Sequence, residues 1–197
     1  MELFHGLYYI SGVTVEVHVD CDASSDVIDE ETLASVITAV ANTMKNYEPT
    51  IVPLAEQYRQ TSVKSQKSHF KHQIREHHRT WLRGQCPQRL LSYCVDLLTD
   101  CALADVDVDH AAVGHSIILY CRVTTFEALS DLQQMIDSGR LSRLFRKMYT
   151  AFANTGLMSR LFGGIFRWFA GTAVTARVSL SKEEYSKAFE SLTGKFH

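Results

Sequence analysis

From Val13 to Asp20 the chain alternates without a break, Val13, Val15, Val17 and Val19 against Thr14, Glu16, His18 and Asp20. Successive side chains of an extended strand point to opposite faces, so a period of two predicts a strand with one buried, valine-lined face and one polar face. A helix would scatter the same valines around its axis. The segment therefore predicts a sheet with its core on one side, which the remaining apolar segments must cover.

The rest of the chain supplies those segments. Glu31 to Tyr47 places Leu33, Val36, Ile37, Val40, Ala41 and Met44 at helical spacing, with Pro49 and Pro53 punctuating the next stretch. Leu54 to Gly84 reads as a long, mostly solvated helix or helix pair with a thin apolar stripe, and Gln88 to Cys101 as a third helical segment with Pro87 suited to its first turn. Alternation returns in Ala104, Val106 and Val108 against Asp105, Asp107 and Asp109, which puts three carboxylates on one strand face. It returns again in Ile117, Leu119, Cys121 and Val123, and with Gly114 between them the two runs predict a hairpin.

Thr124 and Glu127 form a capping box for a helix carrying Phe126, Leu129, Leu132, Met135 and Ile136 inward to a stop near Gly139, and a second helix covers Leu141 to Phe152. Thr172 to Leu180 is the last strand, and Ser181 to Glu184 the capping box of the last helix. The order is β-α(αα)-β-β-αα-β-α. Without its extra helices it is βαββαβ, the split βαβ of ferredoxin-like order. The expected class is α+β, a four-stranded antiparallel sheet packed against several helices in an α/β sandwich.

With 197 residues, 46% of them hydrophobic, and no low-complexity linker, one domain over 1–197 is expected, with a helical insertion at about 50–101 and an apolar one at about 155–171. The first residues lack the basic and apolar regions of a secretory signal, and the five cysteines show no paired spacing. Reduced thiols in a cytoplasmic protein are the expectation. A net charge of −2 argues against a dedicated nucleic-acid binder, yet it hides segregation. Asp20 to Glu31 holds six acids and no base, and Arg59 to Arg89 eight bases and one acid.

The chemistry-bearing patterns are sparse. His69, His72, His77 and His78 lack acids or cysteines at ligand spacing and are interleaved with bases, so a solvated polar helix is favoured over a metal site. No nucleophile elbow, signature cysteine or phosphate-binding glycine loop occurs, and Gly163-Gly164 fits none of them. Neither a catalytic set, a metal nor a cofactor is expected, and the chain reads as a non-enzyme. Two features point to a partner protein. Lys64, Lys67, Lys71, Arg75 and Arg79 follow steps of three and four, which predicts one continuous cationic ridge, for an acidic partner or as an ordinary solvated face, at a cost of roughly 0.2–0.5 kcal/mol per like-charged pair. Leu157 to Phe169, with Phe162 and Phe166, makes a bulky apolar face with Arg167 elsewhere around the helix; it is too short to span a bilayer and could pack internally, lie on a membrane or dock a partner. The alternative is a nucleic-acid or acidic-lipid module using the basic helix 59–89. Nucleic acid is discounted for want of the aromatic RNA-binding pattern around His115 to Tyr120.

His115 to Val123 as a strand, the helix after it, and Ser138-Gly139-Arg140-Leu141-Ser142-Arg143-Leu144-Phe145 together resemble the N-terminal domain of the TNF-receptor-associated death-domain adaptors and their invertebrate relatives. The closing strand leading into Leu180-Ser181-Lys182-Glu183-Glu184-Tyr185 belongs to the same pattern. The resemblance covers about a third of the chain. It implies four antiparallel strands stacked on helices, no catalysis, and recruitment of signalling partners such as TRAF proteins in innate-immune or cell-death signalling, with self-association as a further way to act. It carries over no individual contact residue.

Overall fold

The valine alternation forms β1 (Val13–Asp22), the strand on which the fold is assembled. The computed structural model describes residues 12–22, 30–153 and 174–194. After β1 come α1 (Glu30–Lys45), α2 (Glu48–Gln60), α3 (Lys64–Leu82) and α4 (Gln88–Leu103), then β2 (Val106–Val113), β3 (Ile117–Val123), α5 (Phe126–Asp137), α6 (Arg140–Ala153), β4 (Thr175–Leu180) and α7 (Lys182–Leu192). The sheet is antiparallel throughout in the order β2-β3-β1-β4, the ferredoxin-like order expected. Val17 lies between Leu119 and Leu180, and Val19 between Ile117 and Val178, so the valines of β1 line the middle of the core face. Phe145, Met148 and Tyr149 of α6 and Leu129 and Leu132 of α5 are buried with them. A smaller cluster of Ile51, Ala55, Ile74 and Leu103 ties α2 and α3 to the end of α4.

Helix side chains reach single backbone positions on both outer strands. Along β2 the Thr38 hydroxyl of α1 accepts from the Ala111 N–H (2.9 Å) and donates to its carbonyl (3.1 Å), and Lys45 pairs with Asp109 at 3.5 Å. On β4 the Val178 N–H donates to Ser142 Oγ of α6 at 3.0 Å. Unpaired edge groups are templates for another strand, and at Ala111 and Val178 they are occupied.

Several boundaries differ from the sequence expectation. The polar stretch is a helix pair broken at Thr61 to Val63, and its first member starts at Glu48, because Pro49 falls in the opening turn where no N–H is needed. Pro53 lies inside that helix. The cap of α5 is Thr125, whose hydroxyl accepts from the Ala128 N–H, one residue past the expected Thr124. Phe126, expected inward, is the first residue of the helix, is 41% exposed and meets Phe189 of α7 edge-on. Ser181 caps α7 as expected, accepting from Glu184 N–H. The three aspartates do not share a strand face. Asp105 ends α4 in the left-handed region at φ 59°, and β2 bulges between Val108 and His110. Each finds its own base, Arg59, Arg122 and Lys45 for Asp105, Asp107 and Asp109. The αα turn needs Gly139, at φ 67°, to pass from α5 into α6.

Candidate functional site

Lys64, Lys67, Lys71, Arg75 and Arg79 do run along α3, but the ridge is not a free cationic surface. Ile74, His78 and Leu82, the buried residues of α3, fall at the same three- and four-residue steps as the bases, so the ridge shares the face that packs beside the antiparallel α4. Lys71 meets Asp100 at 3.4 Å and Arg75 meets Asp96 at 2.7 Å. Arg79 turns back to Glu76 of its own helix at 2.5 Å, and Lys67 sits over the Tyr58 ring at 5.1 Å. Lys64 is exposed at the start of α3. Acids on α4, outside the window of the charge count, thus offset the like-charge repulsion along α3.

What the packing creates instead is a cleft of about 270 Å³ where α3, α4 and α6 meet. Among the described residues five bases line it, Lys71, Arg75, Arg140, Arg143 and Lys147, against two acids, Asp96 and Asp100. The Asp100 carboxylate, 9% exposed, holds both Lys71 and Arg140. Arg143 and Lys147 are exposed and make no ion pair among the described residues; Arg143 donates to the Ser138 carbonyl at 2.9 Å. Arg75 grips Asp96 through one terminal nitrogen, and its Nε–H has no acceptor among the described residues. Arg140 and Arg143 occupy the first turn of α6, which contains no acid. The positive end of the helix dipole therefore adds to the field of the bases. The spacing of Arg140, Arg143 and Lys147, three then four, was visible in the sequence; their convergence on Lys71 and Arg75 depends on how α6 crosses α4.

The histidines do not converge. His69 and His72 are exposed, His77 stacks on Trp81 with ring centroids 5.1 Å apart, and His78 is buried with Nδ1 3.0 Å from Thr99 Oγ1. Burial, with a smaller contribution from His77, lowers the His78 imidazole from 6.5 to about 4. Among the described residues no three His, Cys, Asp or Glu side chains could hold a metal ion together. A narrower cleft of about 90 Å³ between α2, α4 and β2 has Ile51, Leu98 and His78 in its lining.

The face of the sheet opposite the core does carry aromatics, which sequence reasoning had not placed. His110 and Tyr120 stack there at 4.3 Å. Glu16 lies directly across from Tyr120 and Asp107 across from Arg122, so the face lacks the positive field that nucleic acid requires. No disulfide joins the five cysteines. Phe162, Phe166, Arg167 and the rest of Leu157 to Phe169 lie outside the described residues. Among the described residues no helix is long and apolar enough to cross a membrane. No protein-family model, curated protein or solved structure matches the chain.

Proposed function

We propose that this chain is a non-enzymatic, adaptor-type interaction module that docks an acidic segment of another protein in the cleft between α3, α4 and α6. One observation carries the reading: among the described residues, five bases from two helices converge on a single recess and leave a surplus of three positive charges over its two acids. Charges so placed attract and orient an acidic partner, with an association rate that falls as salt is added. The likeness of His115 to Phe152 to the death-domain adaptors' N-terminal domain extends the proposal to a signalling partner of TRAF type.

Arg143→Glu with Lys147→Glu tests the reading, since neither base holds an ion pair among the described residues. An acid in the first turn of α6 also suits the helix dipole, so the melting temperature should hold. A fluorescent peptide rich in Glu and Asp should bind the parent chain at low ionic strength and lose about tenfold or more in affinity with the double variant, as the loss of two charge contacts implies. Equal binding by the two proteins would remove the cleft from the proposal. Tighter binding of an oligonucleotide than of the peptide would replace the reading with the nucleic-acid one.

A further inference from the structure

We infer that the group this cleft is built to take is a phosphate monoester carried on a protein segment, a phosphorylated serine or threonine, an inference that rests on the docking site proposed above. Three of the five cations are arginines, Arg75, Arg140 and Arg143, whose planar forks match the oxygens of a phosphate and bind it through paired N–H bonds. Arg143 is exposed and held by a single carbonyl, so its fork retains donor capacity, and Arg75 spends one terminal nitrogen on Asp96. A phosphate monoester brings a charge of about −1.5 to −2 and three strong acceptor oxygens, whereas a glutamate brings one charge and two oxygens. The surplus of three positive charges in the recess is better matched by the former.

Asp100 has a defined part in such a site. Buried in the cleft wall and holding Lys71 and Arg140, it fixes two bases that would otherwise repel each other, so the cations are positioned before a ligand arrives. The convergence on one recess of about 270 Å³, with Asp96 and Asp100 in its walls, favours a single anionic side chain over a charged plane such as a lipid surface. A membrane would be met by bases spread across a face, and acids within that face would oppose it.

The test uses the 197-residue chain, labelled with ¹⁵N, and three peptide pools of the same degenerate sequence centred on phosphoserine, glutamate or serine. The phosphoserine pool should shift the resonances of Arg75, Arg140, Arg143 and Lys147 and bind about tenfold tighter than the glutamate pool, in line with the extra charge-assisted bonds. Arg143→Lys should weaken both pools, because the ammonium keeps the charge and loses the fork, and should cost the phosphoserine pool more, since the phosphate has three acceptor oxygens to the carboxylate's two. Equal affinity for the phosphoserine and glutamate pools overturns the phosphate inference and leaves the acidic docking site standing. Failure of both pools to bind overturns both. Binding to vesicles containing phosphatidic acid but to none of the peptides assigns the cleft to a lipid headgroup and overturns the protein-borne ligand.

Discussion

Asp100 and His78 are buried polar side chains of the helical layer, and each makes a separate prediction. Asp100 is the common acceptor for Lys71 of α3 and Arg140 of α6, so Asp100→Ala should cost about 1.5–3 kcal/mol in urea unfolding through the loss of charge-assisted hydrogen bonds. His78 is held neutral between α3 and Thr99, with its pKa depressed from 6.5 to about 4. Below pH 6.5 the unfolded chain takes up a proton that the folded chain refuses, so this contribution to stability is complete above that pH and is lost as the pH falls toward 4. The loss amounts to about 3 kcal/mol. Urea melts at pH 7 and pH 4.5 should show it, and in His78→Gln most of that difference should vanish; an unchanged pH profile in the variant would mean that other groups titrate.

At the scale of elements, helices reach the sheet's edges at particular residues. Thr38 offers both a donor and an acceptor to Ala111, which valine, of the same shape, cannot do. Thr38→Val should therefore destabilise the fold by about 1–3 kcal/mol and, with the β2 edge uncovered, raise the tendency to self-associate in light scattering. Helix starts carry smaller effects. Thr125→Ala and Ser181→Ala should each cost about 1 kcal/mol in thermal or chemical denaturation, and the two losses should add because the caps belong to different helices.

For the molecule as a whole, the cysteines report on the integrity of the core. Cys94, Cys101 and Cys121 are buried, Cys101 and Cys121 are pushed up in pKa by that burial, and Cys21 and Cys86 are half-buried. A thiol reagent should modify at most two of the five cysteines in the native chain, and all five once denaturant unfolds it. The slow three should react at a rate set by global unfolding, since they lie on the central helix α4 and the central strand β3. Fast modification of Cys101 or Cys121 under native conditions would contradict the packing of the helical layer on the sheet.

The alternation at Val13 to Val19 was enough to define a strand, its buried face and, with the later runs, the order of the sheet, because side-chain direction in a strand is a local property with a fixed period. The Ser181 cap and the Gly139 turn were legible for the same reason, each being a requirement of a few consecutive residues. Asp105, Asp107 and Asp109 show where local reading stopped: a left-handed residue and a bulge, neither of which alters the letter pattern, separate three side chains that alternation had aligned. The cleft was beyond reach in the same way. Sequence established that α3 carries a row of bases, but whether a base is free or paired depends on charges 20 to 70 residues away, on the order of the separations between Lys71, Asp100 and Arg140. Only the crossing of α4 by α3 and α6 decided that the upper part of the ridge would be neutralised and that Lys71 and Arg75 would join Arg140, Arg143 and Lys147 around one recess.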